Sequence, residues 1–275
     1  MTDDRTPAYQ GRPLPRPGEE VVDQGLGFDL GTLLGRRRVL AALGIGAVTA
    51  GLAACGGPGG TTSAGEIPEE TAGPFPGDGS NGANVLTESG VVRRDIRSGF
   101  GTGGATAEGV LMTLDLTIID TARAPMAGAA VYVWHCDREG RYSLYSPGVE
   151  NENYLRGVQV ADPAGKVTFA SIVPACYPGR WPHVHFEVYP SAAGITDAAN
   201  AIATSQVAFP RDVCETVYAT PGYERSVAAL SELSLESDTV FGDDGGALQL
   251  ATVTGDVTSG YRVALTAVVD TGTAP

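Results

Sequence analysis

Met112-Thr113-Leu114-Asp115-Leu116-Thr117-Ile118 alternates apolar and polar residues at every step. Successive side chains of a strand point to opposite faces, so this stretch reads as a strand with one buried and one wetted face. Residues 122–128, with Pro125 and Gly128, carry turn chemistry. Residues 129–136 follow as a second strand, with Tyr132, Trp134 and Cys136 on one face and Val131, Val133 and His135 on the other. Residues 155–160 and 166–172 are two more strands, joined through Asp162-Pro163-Ala164-Gly165 as a hairpin. Residues 183–189 form another. Residues 248–254 and 261–269 close the chain as a second hairpin around Asp256-Val257-Thr258-Ser259-Gly260. Only residues 211–219 and 223–233 read as short helices. The pattern predicts an all-β fold, an antiparallel β-sandwich with a few short helices.

The N-terminal region reads as an address rather than as fold. Arg36-Arg37-Arg38-Val39-Leu40 is a twin-arginine export signal, followed by an uncharged apolar run over residues 39–54. That run is shorter than a comfortable membrane span. It ends at Leu52-Ala53-Ala54-Cys55, which resembles a bacterial lipobox. The expected organisation is a signal segment at 1–54, a Gly/Ser/Thr-rich tether at 55–66 and a β-sandwich domain at 67–275. A lipidated Cys55 would anchor the exported protein to the outer face of the cytoplasmic membrane. An uncleaved anchor, or a cleaved soluble form in which Cys55 is incidental, is the alternative.

Formal net charge is −14. The first 38 residues hold six arginines and six acids, so the mature part keeps the whole of it. Such a surface repels nucleic acid, and Lys166 is the only lysine, so no basic patch argues for it. Partners are expected to be small neutral molecules, and no Gly-x-Gly-x-x-Gly or P-loop supports nucleotide binding. Cys136, Cys176 and Cys214 remain after Cys55. In an oxidising compartment one disulfide is expected, with Cys176–Cys214 the favoured pair. A homodimer is one permitted assembly.

Chemistry concentrates in Arg180-Trp181-Pro182-His183-Val184-His185, just after Tyr177. Two of the chain's three histidines stand here. On a strand, His183 and His185 share a face about 7 Å apart and can close on one metal ion. Tyr177 and the upstream Tyr142 add two phenols. Phenolate oxygens are hard anionic donors that favour ferric iron. A free tyrosine ionises near pH 10 (about), but a bound trivalent cation forces the proton off.

These motifs resemble the intradiol ring-cleavage dioxygenases, which include catechol 1,2-dioxygenases and protocatechuate 3,4-dioxygenases, and among them the exported branch. The resemblance runs from about residue 70 to residue 269. It covers Glu70-Thr71-Ala72-Gly73-Pro74-Phe75, Trp134-His135-Cys136-Asp137, Gly140-Arg141-Tyr142-Ser143, Pro174-Ala175-Cys176-Tyr177 and the Arg180–His185 stretch. The family's usual form of the last motif is Arg-Pro-x-His-x-His, so Trp181 and Pro182 stand in the opposite order. The resemblance implies one non-haem Fe(III) held by Tyr142, Tyr177, His183 and His185. It implies that Tyr177 leaves the metal when a diol binds, and that Arg180 stabilises negative charge. Gln206 matches a family glutamine, though an exposed loop position is the competing reading. Tyr145 and Tyr154 lie near Tyr142, but the Gly-Arg-Tyr motif selects Tyr142.

The implied reaction cleaves a catechol-type aromatic diol with O2 between its hydroxyl-bearing carbons, giving a muconate-type diacid. No clear carboxylate clamp is legible beyond Arg156 and Arg180, which favours a neutral catechol. Two competing functions are a non-catalytic β-sandwich binding lipoprotein on the same scaffold, and a copper or zinc enzyme using His135, His183 and His185.

Overall fold

The computed structural model describes residues 8–9, 12–13 and 65–272. The twin-arginine motif, the apolar run and Cys55 lie outside the described residues. The chain divides into two compact units, Met1–Thr61 and Thr62–Pro275. The first contains a two-residue antiparallel pair, β1 (Ala8–Tyr9) and β2 (Arg12–Pro13).

The second unit is a β-sandwich. One sheet contains β3 (Leu111–Asp120), β6 (Lys166–Ile172), β9 (Thr252–Asp256) and β10 (Gly260–Val269), in the order β6-β3-β10-β9. The other contains β4 (Ala130–Trp134), β5 (Arg156–Val160), β7 (His183–Tyr189) and β8 (Ala203–Ala208), in the order β5-β4-β7-β8. Two short helices follow β8, α1 (Arg211–Tyr218) and α2 (Glu224–Ser231). The alternation read in β3 is realised as packing. Met112, Leu114, Leu116 and Ile118 are buried in the inter-sheet core with Val131, Val133, Phe169, Val184 and Phe186. Fully burying each such side chain stabilises by about 1.5–3 kcal/mol.

Four expectations need correction. Residues 162–165 do form a tight turn, with the Asp162 carboxylate accepting from the Ala164 and Lys166 N–H groups at 2.8 and 2.9 Å. The strands it joins are nevertheless no hairpin: β5 pairs with β4, and β6 pairs with β3 in the opposite sheet. The turn is a corner between layers, and turn chemistry alone does not say which sheet receives the outgoing strand. The β3–β10 pairing is parallel, with Tyr261 opposite Met112 and Val269 opposite Asp120. The penultimate strand starts at Thr252, because the residues before it bridge the end of β8 instead: the Ala208 N–H donates to the Gln249 carbonyl and the Ala251 N–H to the Ala208 carbonyl. The Cys176–Cys214 bridge is not formed. Cys136, Cys176 and Cys214 are free and buried. Cys176 Sγ turns to the Arg180 carbonyl at 3.5 Å and Cys214 lies on α1, both within the same buried apolar cluster. Burial pushes the Cys176 thiol up to about 12, so it is an inert thiol at neutral pH.

The strand β7 is buried along its whole length, on both faces. Val184, Phe186 and Val188 face the inter-sheet core. The opposite face, carrying His183, His185, Glu187 and Tyr189, lies under the segment that precedes β3. That segment starts on the other sheet, where the Ile67 N–H donates to the Val268 carbonyl at 2.8 Å. It then crosses β8: Ser205 Oγ donates to the Pro68 carbonyl at 2.7 Å, and the Glu70 N–H donates to the Thr204 carbonyl at 2.7 Å. Residues 75–76 are fixed by Arg156, whose buried guanidinium donates to the carbonyls of Phe75, Pro76 and Ser143 at 2.8–2.9 Å. It also donates to Ser143 Oγ at 3.0 Å and to Tyr132 Oη at 3.1 Å.

Candidate metal centre

Three elements bring the four predicted donors together. β7 presents His183 and His185 on its covered face, two positions apart. Tyr142 stands in the loop after β4, where its N–H donates to Ser146 Oγ at 2.9 Å. Tyr177 occupies the turn before β7, closed by the Arg180 N–H donating to the Tyr177 carbonyl at 3.2 Å.

Their polar atoms converge. Tyr142 Oη lies 3.3 Å from Tyr177 Oη and 3.3 Å from His183 Nε2. Tyr177 Oη is 3.3 Å from His183 Nε2, which is 3.0 Å from His185 Nε2. His183 Nδ1 stands 2.5 Å from the Trp181 carbonyl, which only accepts, so that nitrogen carries the proton and Nε2 presents a lone pair. One lone pair cannot serve three neighbours as hydrogen bonds. A cation among them would satisfy all. Ligands about 2.0 Å from one ion stand about 2.8 Å apart at a right angle and about 3.3 Å apart at the tetrahedral angle. The separations fall in that range, so the donor set fits a single metal ion.

The electrostatics agree. Desolvation, then the nearby Arg180, lowers His183 to about 3, and desolvation and His183 hold His185 well below the ordinary imidazole range. Both imidazoles are therefore neutral and available as ligands. Desolvation, then the neighbouring phenol, raises Tyr142 well above the usual range. Tyr177 is raised by burial, with Arg180 opposing. Phenols this reluctant to ionise need a strong nearby positive charge to become phenolates.

His185 is held differently from His183. Its Nδ1 is buried with no hydrogen-bond partner among the described residues, and its ring stacks on Trp134 at 4.9 Å with planes 5° apart. The two residues are cross-strand partners in the β4–β7 pair. Gly73 closes over the imidazole. A Cβ there would sit 3.4 Å from His185 Cε1, and its φ of +71° favours glycine. Phe75 packs on Tyr142 with ring centroids 5.0 Å apart.

The neighbouring candidates fall elsewhere. Tyr145 Oη donates to Asn81 Oδ1 at 2.7 Å, and Tyr154 Oη donates to Asp137 at 3.0 Å. His135 faces the other sheet, with Nε2 2.7 Å from Ser171 Oγ and Nδ1 2.8 Å from the Cys136 carbonyl. Both its nitrogens are engaged, so it joins no metal-binding set with His183 and His185. Arg156, weighed as a carboxylate clamp, is consumed by carbonyls and hydroxyls.

Arg180 lies beside the donors, its side chain 15% exposed. Its Nη2 donates to Gln206 Oε1 at 2.5 Å, and Gln206 Nε2 donates to the Thr71 carbonyl at 3.0 Å. Gln206 is therefore not an exposed loop residue. It is fully buried in β8, directly opposite His185. The sequence hid this strand because Ala203-Thr204-Ser205-Gln206-Val207-Ala208 is buried on both faces and shows no clean alternation. Sequence reasoning also missed Asp238, whose Oδ2 is 3.1 Å from Arg180 Nε. It lies 58 residues away in a 3-10 region, and no local motif marks it.

Residues 100–214 match a protein-family model described as Dioxygenase (Dioxygenase_C). That stretch contains Tyr142, Tyr177, Arg180, His183, His185 and Gln206. The chain is 38% identical over 61 residues to a chlorocatechol 1,2-dioxygenase of Rhodococcus opacus, covering 22% of this chain and 24% of that protein. It is 34% identical over 97 residues to a hydroxyquinol 1,2-dioxygenase of a Rhizobium species, covering 29% and 32%. The aligned stretches thus span a third or less of these relatives. Among solved structures, an intradiol ring-cleavage dioxygenase of Tetranychus urticae superposes with a TM-score of 0.59 at 22% identity, over 76% of this chain and 96% of that one. At that identity the likeness concerns the fold.

Proposed function

We propose that the chain is a non-haem Fe(III) dioxygenase that opens the ring of a catechol-type diol between its two hydroxyl-bearing carbons, using O2 and giving a muconate-type diacid. One observation carries the reading: the two phenol oxygens and His183 Nε2 stand 3.3 Å from one another, with His185 Nε2 3.0 Å from His183 Nε2. The sequence similarity to chlorocatechol and hydroxyquinol 1,2-dioxygenases supports it.

In this reading Tyr142, Tyr177, His183 and His185 hold the iron. Ferric iron, when bound, supplies the Lewis acidity that draws electron density from the diol and opens it to O2. Tyr177 sits in a turn and is half-buried, whereas Tyr142 is clamped under Phe75. Tyr177 is therefore the ligand placed to swing away, its Oη taking a proton from the incoming diol. Arg180, fixed from two sides, faces the negative charge that develops on the ring oxygens. The 66–75 segment roofs the site and excludes water.

The test is metal analysis followed by oxygen uptake. The expected result is about one iron per chain, visible colour from tyrosinate-to-iron charge transfer, and O2 consumption matched by loss of catechol. An iron-loaded but colourless protein would sink the two-tyrosine site.

The same reading extends to location. Export by the twin-arginine route and anchoring through lipidated Cys55 are supported by the order of motifs at residues 36–55. Cys55→Ala is expected to move the protein from the membrane fraction to the soluble one. Unchanged fractionation of this variant would count against the anchor.

A further inference from the structure

The cationic end of the site carries its own counter-charge. Asp238 is buried, and its Oδ2 lies 3.1 Å from Arg180 Nε. The same carboxylate accepts the backbone N–H groups of Trp181 at 2.6 Å, Val240 at 2.8 Å and Phe241 at 2.9 Å. Burial alone would raise this carboxyl. Arg180 and the N–H donors outweigh it and hold the group below its ordinary range, so it is ionised at neutral pH.

Two further arginines are already engaged with other partners. Arg141 pairs with Asp137 at 2.9 Å and with Glu139 at 3.4 Å. Arg156 is spent on backbone carbonyls and hydroxyls. Glu70 also lies near Arg180, but burial raises it to about 8, so it is mostly protonated at neutral pH and Asp238 is the ionised partner. A negatively charged ring substituent that reaches this end therefore meets a cation already paired with a buried carboxylate.

We propose that Asp238 is a specificity-determining residue: by neutralising Arg180 it confines the site to diols without an anionic ring substituent and shuts out carboxylated catechols. This rests on the diol-cleaving reading above. Asp238 acts through Arg180 and touches no substrate, so it also positions the guanidinium.

The experiment compares catechol, 3,4-dihydroxybenzoate and 3,4-dihydroxybenzylamine on the iron-loaded full chain. Binding is read without O2 from the shift of the visible band, and turnover from oxygen uptake. Catechol is expected to exceed the benzoate at least about 100-fold in kcat/KM, with a matching gap in Kd. The amine should bind more tightly than the benzoate, and the difference should shrink with added salt. In Asp238→Asn the catechol-to-benzoate ratio should fall at least about tenfold through better benzoate binding. Benzoate binding as tight as catechol overturns the inference alone, as does a folded Asp238→Asn variant with an unchanged ratio. If that variant does not fold, the order of the three ligands on the wild-type chain still decides. No binding and no turnover with any of the three overturns the reading of the site, and this inference with it.

Discussion

His183→Ala is expected to lose most of the bound iron, the visible colour and more than about 100-fold of the turnover. The figure is a lower bound: removing only an outer partner of a metal ligand costs roughly 10–100-fold, and His183 is a direct ligand in this reading. It is also the hub of the set, because its Nε2 is the atom within 3.3 Å of both phenol oxygens and 3.0 Å from the second imidazole. Deleting the ring leaves Tyr142 and Tyr177 without the neighbour that spaces them and opens a hole beside the raised phenols. Iron per chain, the absorption band and oxygen uptake should fall together. Retained iron and colour with wild-type turnover would defeat the assignment. Tyr177→Phe makes the informative companion. It keeps the ring and removes only the oxygen, so it tests a donor atom without opening a hole.

Arg156→Met is expected to lower stability by about 3–5 kcal/mol, the range seen when one member of a buried, fully bonded charged network is removed. The guanidinium makes five hydrogen bonds to the Phe75, Pro76 and Ser143 carbonyls, Ser143 Oγ and Tyr132 Oη. Methionine fills the volume but donates nothing, and the Phe75 and Ser143 carbonyls are left short of a donor. For a domain of this size the loss corresponds to a fall in Tm of about 10 °C. Calorimetry measures it directly. A change under about 1 kcal/mol would mean that the network is dispensable. Turnover should fall as well, because Phe75 lies on Tyr142 and Ser143 follows it in the chain.

The parts legible in the sequence were those set by local physics. Alternation placed β3, and His183–Tyr189 was bounded as observed because both ends are marked by Pro182 and Pro190. Side-chain periodicity put His183 and His185 on one face. What escaped was non-local. Asp162-Pro163-Ala164-Gly165 dictates a turn but not the sheet that receives the next strand. The strand that carries Gln206 escaped, although Gln206 itself is read as a site residue, because a strand covered on both faces loses its polar–apolar rhythm. Asp238 was missed because a carboxylate that completes a site from 58 residues away has no signature in its own neighbourhood. The expected disulfide failed for a related reason. An even pairing of cysteines is a compositional argument, and burial in an apolar core is a sufficient alternative fate for a thiol.

The parallel seam between β3 and β10 fixes when the folded domain can come into being. Its partners, such as Met112 and Tyr261, are separated by most of the domain, and the roofing segment hangs from Val268 in the same last strand. A nascent chain still missing its final residues has no place to fasten that roof. Loop closures this long are slow, so synthesis must finish before the donor cage closes. In the reading proposed above, an ion could enter only after the last strand is in place.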